Sequence, residues 1–307
     1  MVEVAPWWMA LALPGAVLLI VVGVEITESL LRARTAGSPT AVAATAPLRS
    51  AALLLLQQRR RVVGADVPLW RCAGVALLTA GVLAAALIPV GGQVVLDSGV
   101  GVVWFNAAEV VAWAAVWLAG WGSNSAFALV GGYRFIAQGL AYELPHMLAL
   151  TTAALGAGSL RIADIVAAQE DQWFIVIMPV AFAVYLLSVP AIAFRAPFDA
   201  PTGADIAGGV AAELSGVDRL VLAAGQRVLF VAAAAMAVPL FLGGGAGPLL
   251  PAWSWLLIKT LAVLAVLIWL GRRWPTIRMS RYTEVAWIVL LPLILLQALV
   301  VSLVVVR

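Results

Sequence analysis

Stretches of about twenty apolar residues, each long enough to cross the hydrocarbon core of a bilayer, recur along almost the whole chain, and nothing else constrains its fold as strongly. In order they are Trp7–Ile26, Leu69–Val90, Val102–Trp121, Ile136–Leu160, Trp173–Phe194, Leu220–Leu242, Trp253–Leu270 and Glu284–Val306. A further run, Leu48–Leu56, is too short to span and is followed by Gln57, Gln58 and Arg59 to Arg61. It fits a helix lying in the interface, with Arg49 and the arginine run turned toward lipid phosphates. Segments of helix length can satisfy their own backbone hydrogen bonds in lipid, which selects helices over isolated strands. Only 11% of the 307 residues are charged and 64% are hydrophobic, whereas soluble domains are about 25% charged. The expected fold is an all-α integral membrane protein, one polytopic domain over residues 1–307, with about eight transmembrane helices and one short interfacial amphipathic helix.

The first run reads as a retained span rather than a cleaved leader. No Lys or Arg precedes it, no small-x-small cleavage site follows it, and Trp7 and Trp8 suit an interfacial anchor. About eight crossings place both termini on one side of the membrane. Loops one, three, five and seven, with their flanks, carry Arg32, Arg34, Arg49, Arg59, Arg60, Arg61, Arg71, Arg134, Arg195, Arg219, Arg272, Arg273, Arg278 and Arg281, while the opposite face has Arg161 and Arg307. The positive-inside rule then makes the odd loops cytoplasmic and puts both termini on the outer, periplasmic side. The expected location is the inner membrane of a bacterium, crossed several times.

Composition removes several kinds of chemistry. The single cysteine, Cys72, and the single histidine, His146, leave no internal disulfide, cysteine-based iron–sulfur site or His-rich metal site. No nucleotide-binding loop of either common pattern is present. A redox cofactor would therefore belong to a partner chain. The net charge of +3 is small and arginine-borne, so it reports topology rather than nucleic-acid binding.

Two sets of polar residues stand out. The first is the loop of residues 195–219, RAPFDAPTGADIAGGVAAELSGVDR, with Arg195, Asp199, Asp205 and Glu213 between two apolar runs. Polar chain at such a place faces water, lines a cavity or docks a partner. An ordinary solvated connection is the competing reading. The second set is Glu109, Glu143, Arg227 and Lys259, inside expected spans. Each would cost about 2.5–3.5 kcal/mol at a helix centre, so such residues commonly face a wet interior and mark an ion or proton path. Glu143 and His146, three apart, share a helix face, where a carboxylate beside an imidazole can relay protons. His146 also reads as an ordinary packed histidine, and Arg227 and Lys259 as side chains that snorkel or pair.

Several motifs resemble one family. The segment GWGSNSAFALVGGYRFIAQGLAYE, Gly120 to Glu143, is similar to the pattern AGWxSNSKYALLGxxRxxAQxxSYE. That pattern belongs to the family of the H-type membrane subunit (subunit 1) of respiratory complex I, the NADH:quinone oxidoreductase. RAPFDAP (Arg195–Pro201), ELSG (Glu213–Gly216), LFLGG (Leu240–Gly244) and the pattern from Lys259 through Trp269, Arg272, Pro275 and Arg278 to Leu291-Pro292 resemble it in the same order, from about Trp104 to the C-terminus. The resemblance implies a non-redox subunit of a proton-translocating enzyme, inactive as an isolated chain. Such a subunit walls a quinone chamber and couples quinone reduction to proton translocation. Quinone is the substrate, and NADH, FMN and iron–sulfur clusters are held by partners. The implied partners are peripheral-arm iron–sulfur and quinone-site subunits on the cytoplasmic loops, together with other membrane-arm subunits. Carried over by motif, Arg34, Arg195, Asp199 and Glu213 belong to the quinone chamber, and Glu109, Glu143, Asp205 and Glu213 to the proton path.

The chain departs from the pattern in two places. The glutamates expected after RxPFD are Thr202, Gly203 and Ala204 here, leaving Asp205, and the loop is one residue short. The pattern ERxxxARxQxRxGPN is kept only at Glu28 and Arg34, GSPTAV replaces its end, and acidic and lysine positions of the next helix are Leu53 to Leu56 and Gln57. This thinning points to an alternative, the corresponding subunit of a membrane-bound [NiFe] hydrogenase or formate hydrogenlyase. A secondary transporter is the reading from another class.

Overall fold

The structure, a computed structural model, describes residues 3–305; Val306 and Arg307, assigned above to the last span and the outer face, lie outside the described residues. The fold is all-α apart from one short parallel pair, β1 (Glu3–Val4) with β2 (Gln93–Val94). Among the described residues six helices, counting the last composite one, have the length and apolarity to cross a membrane, so this is a polytopic membrane protein.

Helix α1 (Trp7–Ala36) runs ten residues past its expected end and stops at Gly37, whose φ of 67° suits glycine. Helix α2 (Thr40–Leu56) contains the run expected to lie in the interface, and it is longer than the nine residues expected. Its inner proline hides the true start. Pro47 cannot bond the carbonyl of Ala43, and the Ser29 hydroxyl of α1 donates to that oxygen instead, at 2.7 Å. Helix α3 (Val67–Ala86) is capped by Asp66, which accepts from the Leu69 N–H. It packs closely along α9 (Gly216–Phe241). Small residues permit this approach: a Cβ on Gly81 would sit 2.8 Å from the Leu229 nitrogen.

Helices α4 (Gly101–Gly122) and α5 (Ala126–Ala157) are joined by three residues only. Most of the expected loop Gly120–Arg134 is therefore the first turns of α5, which has 32 residues rather than starting at Ile136. After α6 (Ile162–Ala167), the expected span Trp173–Phe194 is broken at Met178 into α7 (Phe174–Ile177) and α8 (Pro179–Ile192). Pro179 opens the second piece, where its missing N–H costs nothing. Gln297 satisfies the freed backbone, accepting from Val180 N–H and donating to the Ile177 carbonyl. Helix α10 (Ala252–Arg273) is followed by α11 (Met279–Val285), a π turn over Ala286–Leu290, and α12 (Leu291–Val305), which join as one long rod.

Hydrogen bonds gather the loops at two ends of the bundle. At one end the N-terminal strand meets β2, Arg161 grips Asp97, and Lys259 reaches the α9–α10 loop. At the other, residues 57–66, 123–125, 195–215 and 274–278 touch one another. Lys259 does not snorkel. It is buried, donates to the carbonyls of Leu242, Gly244 and Ala246 at 2.6–3.0 Å, and lies 4.1 Å from the Trp173 ring centre.

Candidate functional site

The polar end of the bundle holds a two-part cleft. Its outer part, about 820 Å³, opens beneath α2 and is lined by Leu53, Leu54 and Leu56 on one side and Leu222 and Ala223 of α9 on the other. Its inner part, about 360 Å³, is lined by Glu25, Glu28, Arg32, Arg195, Asp199 and Arg272. Phe194, Thr202, Gln226 and Arg227 border both parts, so an apolar mouth leads to a charged end.

The charged end is a chain of alternating groups. Arg227 Nε lies 3.0 Å from Glu25, Arg195 bridges Glu25 at 3.2 Å to Glu28, and Arg32 reaches Glu28 at 2.8 Å. The Arg195 guanidinium also lies 4.6 Å from the centre of the Phe230 ring. Partial burial makes this arrangement demanding, because removing one member strands a charge that water cannot reach freely. Arg195 does not balance Asp199, whose carboxylate instead accepts from the Thr276 hydroxyl at 2.9 Å. Arg227, read as a snorkelling candidate, is a fixed partner of Glu25.

The other sequence-derived residues fall in three places. Arg34 is exposed in the last turn of α1 and does not line the cleft; Arg32 takes that place. Glu213 does not line the cleft; it is held in the neighbouring loop by Arg60 at 2.9 Å and by the Ser125 hydroxyl at 3.1 Å. Beside it, Ser215 accepts from the Arg60 N–H and donates to the Gln58 carbonyl, and the Gly216 N–H donates to Gln57. The ELSG segment thus stitches the α2–α3 connection to α9, and only glycine fits at 216, where a Cβ would lie 2.6 Å from the Gln57 oxygen. Asp205 is exposed and takes a two-pronged grip from Arg134 at 3.0 and 2.6 Å. That hydrogen-bonded guanidinium holds the Asp205 carboxyl below the usual carboxylate range.

Glu109 and Glu143 lie apart from the cleft arginines. Glu109 is fully buried on α4 and Glu143 half-buried on α5. The Nε2 of the buried His146 is 3.0 Å from Glu109 Oε2. The histidine's partner is therefore Glu109 on the neighbouring helix, not Glu143 on its own. The charged and polar cleft residues not singled out from the sequence as a site include Glu25, Glu28, Arg32, Gln226, Arg227 and Arg272. Two acids one turn apart at the polar end of the first span, Glu25 and Glu28, are the visible signal in the sequence.

A helical membrane bundle with a charged cleft opening beside α2 defines a class, and comparison with known proteins narrows it. The family model described as NADH dehydrogenase matches residues 34–302. The NADH-quinone oxidoreductase H-type subunit numbered 2 in Geobacter sulfurreducens is 38% identical over 83% of this chain and 80% of its own length. The H-type subunit numbered 1 in Geobacter metallireducens is 37% identical with the same coverage. The one numbered 2 in Cereibacter sphaeroides (strain ATCC 17029 / ATH 2.4.9) is 40% identical over 68% of this chain and 66% of its own length. The chain belongs to the NADH dehydrogenase family, among relatives named as H-type subunits of NADH-quinone oxidoreductase.

Proposed function

We propose that this chain is a membrane-arm subunit of a bacterial NADH–quinone oxidoreductase, walls its quinone chamber, and links quinone reduction to proton translocation. The observation that carries this is the graded cleft. An isoprenoid tail suits the leucine-lined mouth under α2, and a quinone head suits the end at Arg195, Glu25 and Asp199. The loops joined at that end, with Arg59 to Arg61 and Arg272 to Arg281, form the cytoplasmic surface in this reading and receive the peripheral iron–sulfur and quinone-site subunits. Segments α1, α3, α4, α5, α7 with α8, α9, α10 and α11 with α12 are then eight crossings, with both termini on the periplasmic side of the inner membrane.

NADH, FMN and the clusters belong to partner subunits, so the isolated chain has no activity of its own. Reduction of quinone takes up two protons, and the charge change acts on Glu213 in the adjoining loop and on Glu109 and Glu143 deeper in the membrane, where low dielectric enlarges it. Asp205 adds a further acid on the same side.

The test is Arg195→Glu in the assembled complex. It sets a third carboxylate beside Glu25 and Glu28, and quinone reduction should fall at least about 100-fold, the order that positioned charged groups contribute, while the variant chain still copurifies. Normal quinone reduction in that variant contradicts the assignment.

A second reading has its own support. Thr202, Gly203 and Ala204 stand where the resemblance leads one to expect acids, and Asp205 is turned to Arg134 at the surface. Copurification with a nickel–iron large subunit instead of an NADH-binding flavoprotein would move the chain to a hydrogenase-type complex.

A further inference from the structure

Nine buried side-chain nitrogen or oxygen atoms lack a hydrogen-bond partner among the described residues, and six of them belong to Asn106, Glu109, Glu143 and His146. Unpaired polar atoms inside a membrane protein are costly, so their concentration on the facing sides of α4 and α5 needs a reason. Asn106 and Glu109 share one face of α4, and Glu143 and His146 one face of α5. Nε2 of His146 and Oε2 of Glu109 are 3.0 Å apart, both side chains fully buried, yet neither atom makes an aligned hydrogen bond.

Among the described residues the surroundings offer no other cation. From α8, the Tyr185 ring packs against His146 at a tilt, 5.0 Å between centres, and its hydroxyl is committed to the Ala233 carbonyl. From α4, Phe105 covers the ring at 6.4 Å, while the Tyr142 hydroxyl of α5 accepts from Trp113. The remaining titratable groups facing the histidine are the carboxyls of Glu109 and Glu143. Among the described residues no arginine or lysine lies within ion-pair distance of either; Arg195 and Arg227 pair with Glu25 and Glu28 in the cleft instead. Two acids in one pocket with a single imidazole require the imidazole to carry charge, or the acids to stay protonated.

We infer that His146 is the resident proton carrier of this pocket, holding one proton on Nε2 against Glu109 and passing it to Oε2 when the local charge changes. In the transfer an Nε2–H bond breaks and a Glu109 O–H bond forms. An imidazolium–carboxylate pair becomes a neutral imidazole and a neutral acid, and net charge is conserved. Arginine could not do this, since it does not release its proton. The inference deepens the proposed proton path and rests on it for its physiological meaning, but the proton sharing itself does not depend on quinone.

The experiment is infrared spectroscopy of the purified, quinone-free complex with 15N-labelled histidine, comparing the native chain, Glu109→Gln, His146→Leu and the double variant. The native complex should show an imidazolium band that Glu109→Gln converts to neutral imidazole. His146→Leu should create a protonated-carboxyl band that vanishes in the double variant. A native histidine band unchanged by Glu109→Gln, or no new carboxyl band in His146→Leu, overturns the inference. If His146→Leu does not assemble, the native and Glu109→Gln spectra alone decide. Proton translocation by the loaded complex is a separate readout. His146→Leu should lower it about 100-fold, and a complex that reduces no quinone at all would count against the functional reading while leaving the infrared result standing.

Discussion

The two charged regions of this protein solve the same problem in opposite ways. At the cleft, Glu25 and Glu28 are each met by two arginines, so no carboxylate of that pair is left without a cation. In the α4–α5 pocket, Glu109 meets one histidine, Glu143 meets no cation within ion-pair distance, and six polar atoms of the cluster go unpaired among the described residues. Guanidinium is charged at every working pH, whereas imidazole gains and loses its proton near neutrality. The first region thus holds charge still and the second has a group that can release its proton; in the proposed function these would orient a quinone head and pass a proton inward.

Removing one acid from each region breaks the comparison most sharply. Glu25→Ala leaves Arg195 and Arg227 facing each other half-buried and should destabilise the protein by about 3 kcal/mol, the lower end of what breaking a buried pair costs because these groups are partly solvated. Thermal unfolding of the detergent-purified complex measures it. Glu109→Gln should cost less than about 1 kcal/mol, because His146 can shed its proton when its partner goes, and the same unfolding assay checks it. Equal losses in the two variants would mean that both regions are fixed ion pairs.

The smallest effect belongs to Asp205, outside both regions. Its carboxyl is held low by Arg134, so any stability it lends is fully present above the ordinary carboxylate range and disappears only as pH falls through the lowered value. Asp205→Asn should therefore match the native protein in acid and differ slightly from it at neutral pH, and a pH series of unfolding midpoints would show this. Asp205 is proposed as a further acid of the proton path, and unchanged proton translocation in Asp205→Asn would remove it from that path.

The apolar runs make the membrane fold legible, because twenty-residue segments leave few alternatives in lipid. The ends of elements are harder to see. The polar stretch Glu25–Arg34 looks like a loop, yet α1 continues through it, with Glu25 and Glu28 paired to Arg227 of α9 and to Arg195. The break at Met178 is hidden in an unbroken apolar run and depends on Gln297, more than a hundred residues away. Arg195 and Asp199 are readable as cleft residues from their motif, but their partners are not. Pairing across helices is set by tertiary packing, and sequence spacing reports only neighbours on one helix. His146 illustrates this: its spacing points to Glu143, and the contact is with Glu109.

The claim that the graded cleft receives quinone is tested most directly by photolabelling the whole complex with a photoreactive quinone and mapping the modified peptides. The account predicts labels on the segments containing Leu53–Gln57, Phe194–Thr202 and Leu222–Arg227, all displaced by excess unlabelled quinone. Displaceable labelling confined to other segments or to partner chains would contradict it.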